Sequence, residues 1–420
     1  MSDAAGGSRA AVGTGAGGRR PWAGRRVLLG VTGSIAASKA VEIARDLTEL
    51  GAQVDTVLTA RASAFVGAIT FEALTGRPCH TDMWAPGQAL THISLARAAD
   101  VVCVAPATAD LMARAAVGRA DDLLSAILLA TRAPVLLCPA MNDRMWAHPQ
   151  TRANARHLQE VLGYRLVGPV AGPLAFDEGE GPGRMAEPAA IIEHIGRALG
   201  ADPALHGRTV VVTAGPTREP VDAVRVLTNR SSGRMGYALA AAAWRRGAEV
   251  VLIAGPAALP PPTGPALVPV ATADEMAAAV AQHLPGAAAL VMSAAVADFR
   301  PARIRGGKIK KAAMPASLEL EPAPDILLGT RAARAPGCFV VGFALEAEDA
   351  LENARAKLRA KDLDLVVLNS AGEPGAGFEV STNRVTLLDR DGGVESLPLL
   401  GKDEVAERIV DRLVAGLAVR

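Results

Sequence analysis

The sequence predicts an α/β protein made of two doubly wound, Rossmann-like domains. Three observations carry this. Short apolar runs alternate with helix-like segments through the first half, and the pattern restarts near residue 208. The runs are continuous rather than alternating, as expected of parallel strands covered on both faces. The chain has 420 residues, 50% hydrophobic and 21% charged, enough apolar material for two cores.

Residues 1–24 are rich in Gly, Ala and Arg without an apolar h-region, so they read as a disordered tail and not as a secretory signal. Val27–Val31 is the first strand. Ser38–Leu50 places Ala40, Ile43, Ala44, Leu47 and Leu50 at helical spacing before Gly51. Val54–Leu58, Asp100–Ala105 and Pro134–Cys138 are further strands, and Ala109–Ala130 is helical with a break near Gly118. Ala189–Leu199 closes a first domain over residues 25–200, and residues 201–207 (ADPALHG) read as a linker. The second domain, 208–420, opens with the strand Arg208–Thr213 and a Gly-Pro-Thr loop. The helix Gly236–Arg246 and the strands Glu249–Ile253, Ala288–Ser293, Phe339–Val341 and Leu365–Leu368 follow. The proline-rich Ala257–Pro269 reads as a loop.

Aromatic residues are only 3%, so Ala, Val and Leu must fill the cores. A net charge of +1 argues against a general nucleic-acid or membrane-surface binder, while leaving a local basic site open. None of Cys79, Cys103, Cys138 and Cys338 forms a CxxC pair, so neither zinc nor dithiol chemistry is signalled. Cys103 and Cys138 lie in apolar runs and read as small core residues. This suits a reducing, cytoplasmic location. No apolar run is long enough to span a bilayer.

In the first half, Gly30–Ala37 (GVTGSIAA) joins strand to helix and can aim backbone N–H groups and the Ser34 hydroxyl at a phosphate. It is not GxGxxG and fits a plain tight turn as well. Ala105–Asp110 (APATAD) sits where ligands of open α/β sheets bind, with Thr108 equally suited to capping a helix. Asn142 in Pro139–Asn142 (PAMN) can hold a carboxylate or cap the helix from Asp143. His92 is either a base or a structural histidine. In the second half, Thr213–Pro220 (TAGPTREP) and Asn229–Gly236 (NRSSGRMG) bring Gly, Ser and Arg to a helix start, which suits a triphosphate or a plain N-cap. The Walker A pattern is missing. Lys308-Ile309-Lys310-Lys311 after Gly306-Gly307 is either a solvated face or a loop that closes over phosphates.

Taken in order, GSIAA, THISLARAAD, APATADL, PAMNDRMW and GPGRM resemble the flavin mononucleotide-dependent cysteine decarboxylases, in particular those acting on phosphopantothenoylcysteine. The resemblance covers about residues 25–190. It implies that Gly33, Ser34, Ile35 and Thr108 bind FMN, that His92 is the active-site base and that Asn142 grips the substrate carboxylate. It also implies a mobile flap over the stretch Pro173–Met185 (PLAFDEGEGPGRM). Many members carry a proton-donating cysteine there; here Phe176 or Asp177 stands at that position. Asp177, Glu178 or water is left as the donor, or the reduction stops at an enethiol.

TAGPTREP, NRSSGRMG, AAVADFRP and KIKK in series resemble phosphopantothenate–cysteine ligases over residues 207–415. That resemblance implies a CTP site from Ser293, Ala294, Asp298, Lys308, Ala323, Pro324, Asp325, Ile326, Phe343, Lys357 and Lys361. It implies Lys308 as the main catalytic lysine and Asn229 at the acyl-cytidylate. It further implies Mg2+ or Mn2+ on the triphosphate, with metal ligands unknown, and 4′-phosphopantothenate, cysteine and CTP as substrates. Ligase dimers and decarboxylase trimers would combine in a homo-oligomer such as a dodecamer. The fused order is that of bacterial bifunctional coenzyme A biosynthesis enzymes. Two rivals are a flavin-binding regulatory protein and a two-domain oxidoreductase; the second lacks its nicotinamide fingerprint.

Overall fold

A computed structural model of the chain describes residues 20–84, 88–175, 179–310, 317–346, 349–370, 377 and 380–419. The chain divides into two compact units, Met1–Leu199 and Gly200–Arg420.

In the first unit six strands form one parallel sheet: β1 (Arg26–Val31), β2 (Gln53–Leu58), β3 (Cys79–His80), β4 (Val101–Ala107), β5 (Val135–Pro139) and β6 (Arg165–Leu166). Their order is β3-β2-β1-β4-β5-β6, so the winding reverses between β1 and β4. β1, β4 and β5 are almost wholly buried, which explains their unbroken apolar sequences. One face of the sheet is packed by the helices Ala37–Glu49 and Pro188–Gly200, through Ile43, Leu47, Ile191 and Ile195. Cys103 and Cys138 are fully buried on that side. The expected helix Ala109–Ala130 is two helices, Ala109–Ala116 and Leu123–Ala130. Gly118 turns left-handed with φ 68°, and Asp122 starts the second helix with a capping box to Ser125. β7 (Val170–Pro173) and β8 (Glu180–Arg184) form an antiparallel hairpin that hydrophobic patterning did not reveal. Residues 1–19 of the expected tail lie outside the described residues. The rest of it is tied down: the Trp22 N–H donates to the Leu50 carbonyl at 3.2 Å, and its ring packs on the core.

In the second unit the strands are β9 (Thr209–Ala214), β10 (Arg218–Pro220), β11 (Val226–Thr228), β12 (Glu249–Ala254), β13 (Ala266–Pro269), β14 (Ala289–Met292), β15 (Phe299–Pro301), β16 (Leu320–Pro322), β17 (Phe339–Glu346), β18 (Leu365–Ser370), β19 (Thr382–Asn383), β20 (Val385–Asp389), β21 (Val394–Ser396) and β22 (Leu400–Gly401). The main sheet runs β13-β12-β9-β14-β17-β18-β20-β21 and reverses between β9 and β14. β20 and β21 pair antiparallel; the other six strands are parallel. β13 corrects the reading of Ala257–Pro269 as a loop. Its ALVP sequence is an edge strand, where a terminal proline is tolerated. The helices Arg234–Arg245 and Lys402–Ala418 cover one face through Leu239, Ile409 and Leu413, while Ala273–His283 and Ala350–Ala360 cover the other through Met276, Val280 and Leu358. Residues 201–207 are not a free spacer. Leu205 is fully buried in this core and the Asp202 N–H donates to Arg246 O at 2.8 Å.

Gly236 lets the helix Arg234–Arg245 sit close on the sheet. A Cβ there would lie 2.5 Å from Ala214 Cβ and 2.7 Å from Ser293 Oγ. Gly236→Ala is expected to lift the first turn off β9 and β14. The expected loss is about 1–3 kcal/mol in unfolding free energy, read as a lower denaturant midpoint at unchanged m.

Candidate functional sites at the two sheet switch points

In the first unit the loops after β1 and β4 meet at the switch point, where open α/β sheets bind ligands. Thr32 joins them: its hydroxyl donates to Pro106 O at 2.8 Å and accepts the Thr108 N–H at 3.2 Å. Gly33 is needed because Arg61 crosses close by; a Cβ would lie 2.6 Å from Arg61 Cβ. The Ser34 hydroxyl accepts the Ala36 N–H at 3.3 Å, and no side chain caps the helix Ala37–Glu49. The Ala37 N–H donates to Ser34 O at 2.9 Å and the Lys39 N–H to Ala36 O at 3.0 Å, so the turn is closed largely by its own backbone. Ile35 stands 70% exposed in this turn. Thr108 is a helix N-cap, accepting the Leu111 N–H at 3.4 Å, so the capping alternative holds at this position. His92 lies in the first turn of the helix Thr91–Ala98, which runs back to β4, and its Nδ1 is buried without a partner. An orphaned, buried ring nitrogen fits a site that takes up a polar ligand.

Asn142 also caps a helix: its Oδ1 accepts the Arg144 N–H at 2.9 Å. Capping engages the acceptor and leaves Nδ2, the donor that a carboxylate needs. The strand β8 lies directly on this corner. Gly183 O accepts the Met141 N–H at 3.0 Å, and a Cβ on Gly183 would lie 2.2 Å from Met141 O. A Cβ on Gly181 would lie 2.8 Å from Asp143 Cβ. The glycines of GPGRM thus dock the hairpin onto PAMND. The tip residues Phe176, Asp177 and Glu178 lie outside the described residues. Gly183→Ala is expected to push β8 off this corner, speeding amide exchange at Met141 and lowering unfolding free energy by about 1–3 kcal/mol.

In the second unit a 630 Å³ cleft opens over the reversal between β9 and β14. Thr213 repeats the device of Thr32: its Oγ1 accepts the Ala294 N–H at 3.2 Å, and the Ser293 hydroxyl donates to Thr213 O at 2.9 Å. Asn229 crosses the gap, its Nδ2 donating to Ala295 O at 3.3 Å and Val296 O at 3.1 Å. Gly233, with φ 77°, starts the helix Arg234–Arg245 without a side-chain cap. Ser293, Ala294, Asp298, Ala323–Ile326, Phe343, Lys357, Lys361 and Asn229 all line this one cleft. Lys357 Nζ donates to Phe343 O at 2.7 Å, and Lys361 Nζ pairs with Asp325 at 2.8 Å. Burial, then Lys361 nearby, pushes the Lys357 amine down. Burial alone would raise Asp325, but the Lys361 ammonium together with the Leu328 and Leu327 N–H groups outweighs it and holds the carboxyl below its usual range.

Lys308 is the exception, since it is exposed and does not line the cleft. The structure instead anchors the next residue. Asp222, with its carboxylate held down by the Val224, Ile309 and Arg225 N–H groups, accepts the Ile309 N–H at 3.1 Å. Ile309 itself is buried, so the lysine segment has a fixed stem beside β10 and β11. Lys311 lies outside the described residues. The sequence reading missed Lys402, Asn383, Asn369 and Glu346, which also line the cleft. One signal was available for Lys402: a lysine opening an amphipathic helix opposes the helix dipole and calls for a local reason. Among the described residues no cluster of His, Cys, Asp or Glu could hold a metal ion. No helix among them is long and apolar enough to cross a membrane.

Residues 19–200 match the family described as Flavoprotein. Residues 205–417 match the DNA/pantothenate metabolism flavoprotein C-terminal domain. The chain is 47% identical over 409 residues to the Coenzyme A biosynthesis bifunctional protein CoaBC of Mycobacterium bovis, covering 94% of this chain and 97% of that protein. It is 42% identical over 394 residues to the protein of that name from Vibrio cholerae serotype O1, covering 92% and 97%. A solved structure of the C-terminal domain of a CoaBC protein aligns at 38% identity with a TM-score of 0.45, over 52% of this chain and 100% of that one. The chain belongs to the family of bifunctional coenzyme A biosynthesis proteins, with a flavoprotein unit followed by a pantothenate-metabolism C-terminal unit.

Proposed function

We propose that the C-terminal unit joins 4′-phosphopantothenate to cysteine at the expense of CTP, through an acyl-cytidylate. The N-terminal unit then decarboxylates 4′-phosphopantothenoylcysteine to 4′-phosphopantetheine with FMN. The observation that carries this is the gathering of the motif residues, from Asn229 to Lys361, around one cleft at a switch point. The near full-length identity to bifunctional relatives supports the pairing of the two activities.

In the ligase cleft, Lys357 and Lys361 supply positive charge to the nucleotide, and Phe343 and the Ala323–Ile326 turn supply its apolar and backbone contacts. The uncapped N-terminus of the helix Arg234–Arg245 offers N–H groups to phosphate. Asn229, fixed across the two loops, stands at the junction where the acyl-cytidylate forms. Lys308 acts after its loop moves inward over the stem held by Asp222. Mg2+ or Mn2+ enters with the triphosphate as part of the substrate.

In the decarboxylase unit the loops after β1 and β4, with Gly33, Ser34, Ile35 and Thr108, hold FMN. When bound, the flavin supplies a reversible two-electron oxidation of the substrate thiol, which gives the departing carboxylate an electron sink. Asn142 orients that carboxylate through Nδ2, and His92 moves a proton at its ring nitrogen. The β7–β8 hairpin covers the substrate. No cysteine stands at its tip, which leaves Asp177, Glu178 or water for the final proton, or a reduction that stops at the enethiol. Exposed Val224, Val226, Phe299 and Leu320 on the two small ribbons favour a homodimer through the ligase unit, and the decarboxylase unit is expected to form trimers.

Incubation with phosphopantothenate, cysteine, CTP and Mg2+ tests the whole reading by product mass. Phosphopantetheine supports it, and a species lighter by two hydrogens places the block at the last reduction. His92→Asn is expected to abolish CO2 release while CTP-dependent ligation continues; joint loss of both would defeat the two-site assignment. Lys308→Gln is expected to slow ligation by roughly a hundredfold or more without altering bound flavin. Unchanged ligation would remove Lys308 from its role.

A further inference from the structure

The wall of the ligase cleft formed by Lys402 and Asn383 has no part in the sites described so far. Lys402 opens the helix Lys402–Ala418 and is only 6% exposed, yet it lines the cleft. Asn383 ends β19, is 1% exposed and lines the same cleft. The backbone sets them side by side. β19 pairs antiparallel with β22, Asn383 opposite Leu400 and Thr382 opposite Gly401, and the Lys402 N–H donates to Ser381 O at 3.0 Å.

Their chemistry is complementary. The Lys402 ammonium donates to Gly377 O at 2.8 Å and places a positive charge at the wall. Asn383 Nδ2 donates to Asn369 Oδ1 at 3.4 Å, while Asn383 Oδ1 is buried without any partner. A polyphosphate offers Oδ1 only more acceptors and leaves it unsatisfied. A ligand that carries an anion and an N–H donor on neighbouring atoms satisfies both groups, and an α-amino acid is such a ligand. We propose that Lys402 and Asn383 hold the amino-acid co-substrate of the ligation, its carboxylate on the Lys402 ammonium and its amino group on Asn383 Oδ1. The assignment rests on the ligase reading of this cleft. Burial, then Arg234 in the same wall, pushes the Lys402 amine down to about 8, and a carboxylate seated there offsets both effects.

The site prepares the second half-reaction. The amino nitrogen forms the C–N bond to the acyl carbon, the C–O bond to phosphate breaks and CMP leaves. Two protons pass to solvent, one to free the nitrogen lone pair and one after attack. Holding the amino group on a neutral carboxamide oxygen positions it without fixing its charge, as attack by the free amine requires.

The test separates the half-reactions in the full-length protein. CTP–pyrophosphate exchange with phosphopantothenate, without cysteine, reads the first; amide formation reads the second. Lys402→Met is expected to raise the KM for cysteine roughly ten- to hundredfold, with Lys402→Arg recovering most of it. The KM for CTP in exchange is not expected to follow. Cysteamine, which lacks the carboxylate, should be used no worse by Lys402→Met than by the natural chain. Asn383→Leu should raise KM for both amines, since both present the same nitrogen. Exchange weakened in step with cysteine use would make this wall a polyphosphate site and overturn the proposal, as would equal loss with cysteine and cysteamine in Lys402→Met. Absence of exchange and ligation in the natural chain would overturn the ligase reading itself, and this assignment with it.

Discussion

A buried threonine at the end of each first central strand holds each half of the protein's chemistry in place. In a parallel sheet that winds in both directions, the two strands at the reversal send their loops apart, and a crevice opens between them. Thr32 closes the base of that crevice in the first unit by bonding to Pro106 and Thr108. Thr213 links the loops in the second unit with its hydroxyl, which accepts the Ala294 N–H, and its backbone carbonyl, which accepts from the Ser293 hydroxyl. Because both hydroxyls are buried, leaving them unpaired would cost on the order of 1–3 kcal/mol, so the loops are fixed relative to the sheet. Everything above this level is positioned from it: the Ser34 turn and Thr108 cap in one unit, the Asn229 bridge and the helix Arg234–Arg245 in the other.

Glycine sets the second constraint. The helix at the ligase cleft approaches the sheet because Gly236 has no Cβ, and the decarboxylase hairpin reaches the Asn142 corner because Gly181 and Gly183 have none. In both cases a neighbouring residue occupies the space that a Cβ would need: Ala214 and Ser293 at Gly236, Asp143 at Gly181, and the Met141 carbonyl at Gly183. The hairpin stretch PLAFDEGEGPGRM, poor as helix and as strand, thus has a positive role at its carboxyl end: Gly181 makes room for Asp143, and Gly183 lets backbone pack on backbone.

Charge in the ligase cleft is divided between the two faces of the sheet. Lys357 approaches from the helix Ala350–Ala360 and Lys361 from its C-cap, with Asp325 tempering Lys361. Arg234 and Lys402 approach from the helices on the opposite face. Packing two lysines away from water lowers their hold on a proton, and anionic substrates restore it. The cleft is therefore stabilised by the ligands it takes up, as expected of a site whose charge is complementary to its substrates rather than to itself.

Sequence by itself determined the doubly wound fold, the central strands and most of the motif residues that line the cleft of the second unit, because each depends on local features. Buried parallel strands must be continuously apolar, and loops after them must carry Gly, Ser, Thr and Asn. It also located Asn142 and offered the helix cap there, though not that the cap would engage Oδ1 and leave Nδ2. Tertiary structure alone decided the rest. β13 hid in a proline-rich stretch because an edge strand needs few ladder bonds. The β7–β8 hairpin was invisible because its pairing is set by the corner it packs against and not by its own propensity. Lys308 stood in the motif series but not in the cleft, since Asp222, far away in sequence, holds the adjoining Ile309. Lys402 and Asn383 became neighbours only through the pairing of β19 with β22. A side chain's partner across such a pairing is a property of the folded register, and no local spacing encodes it.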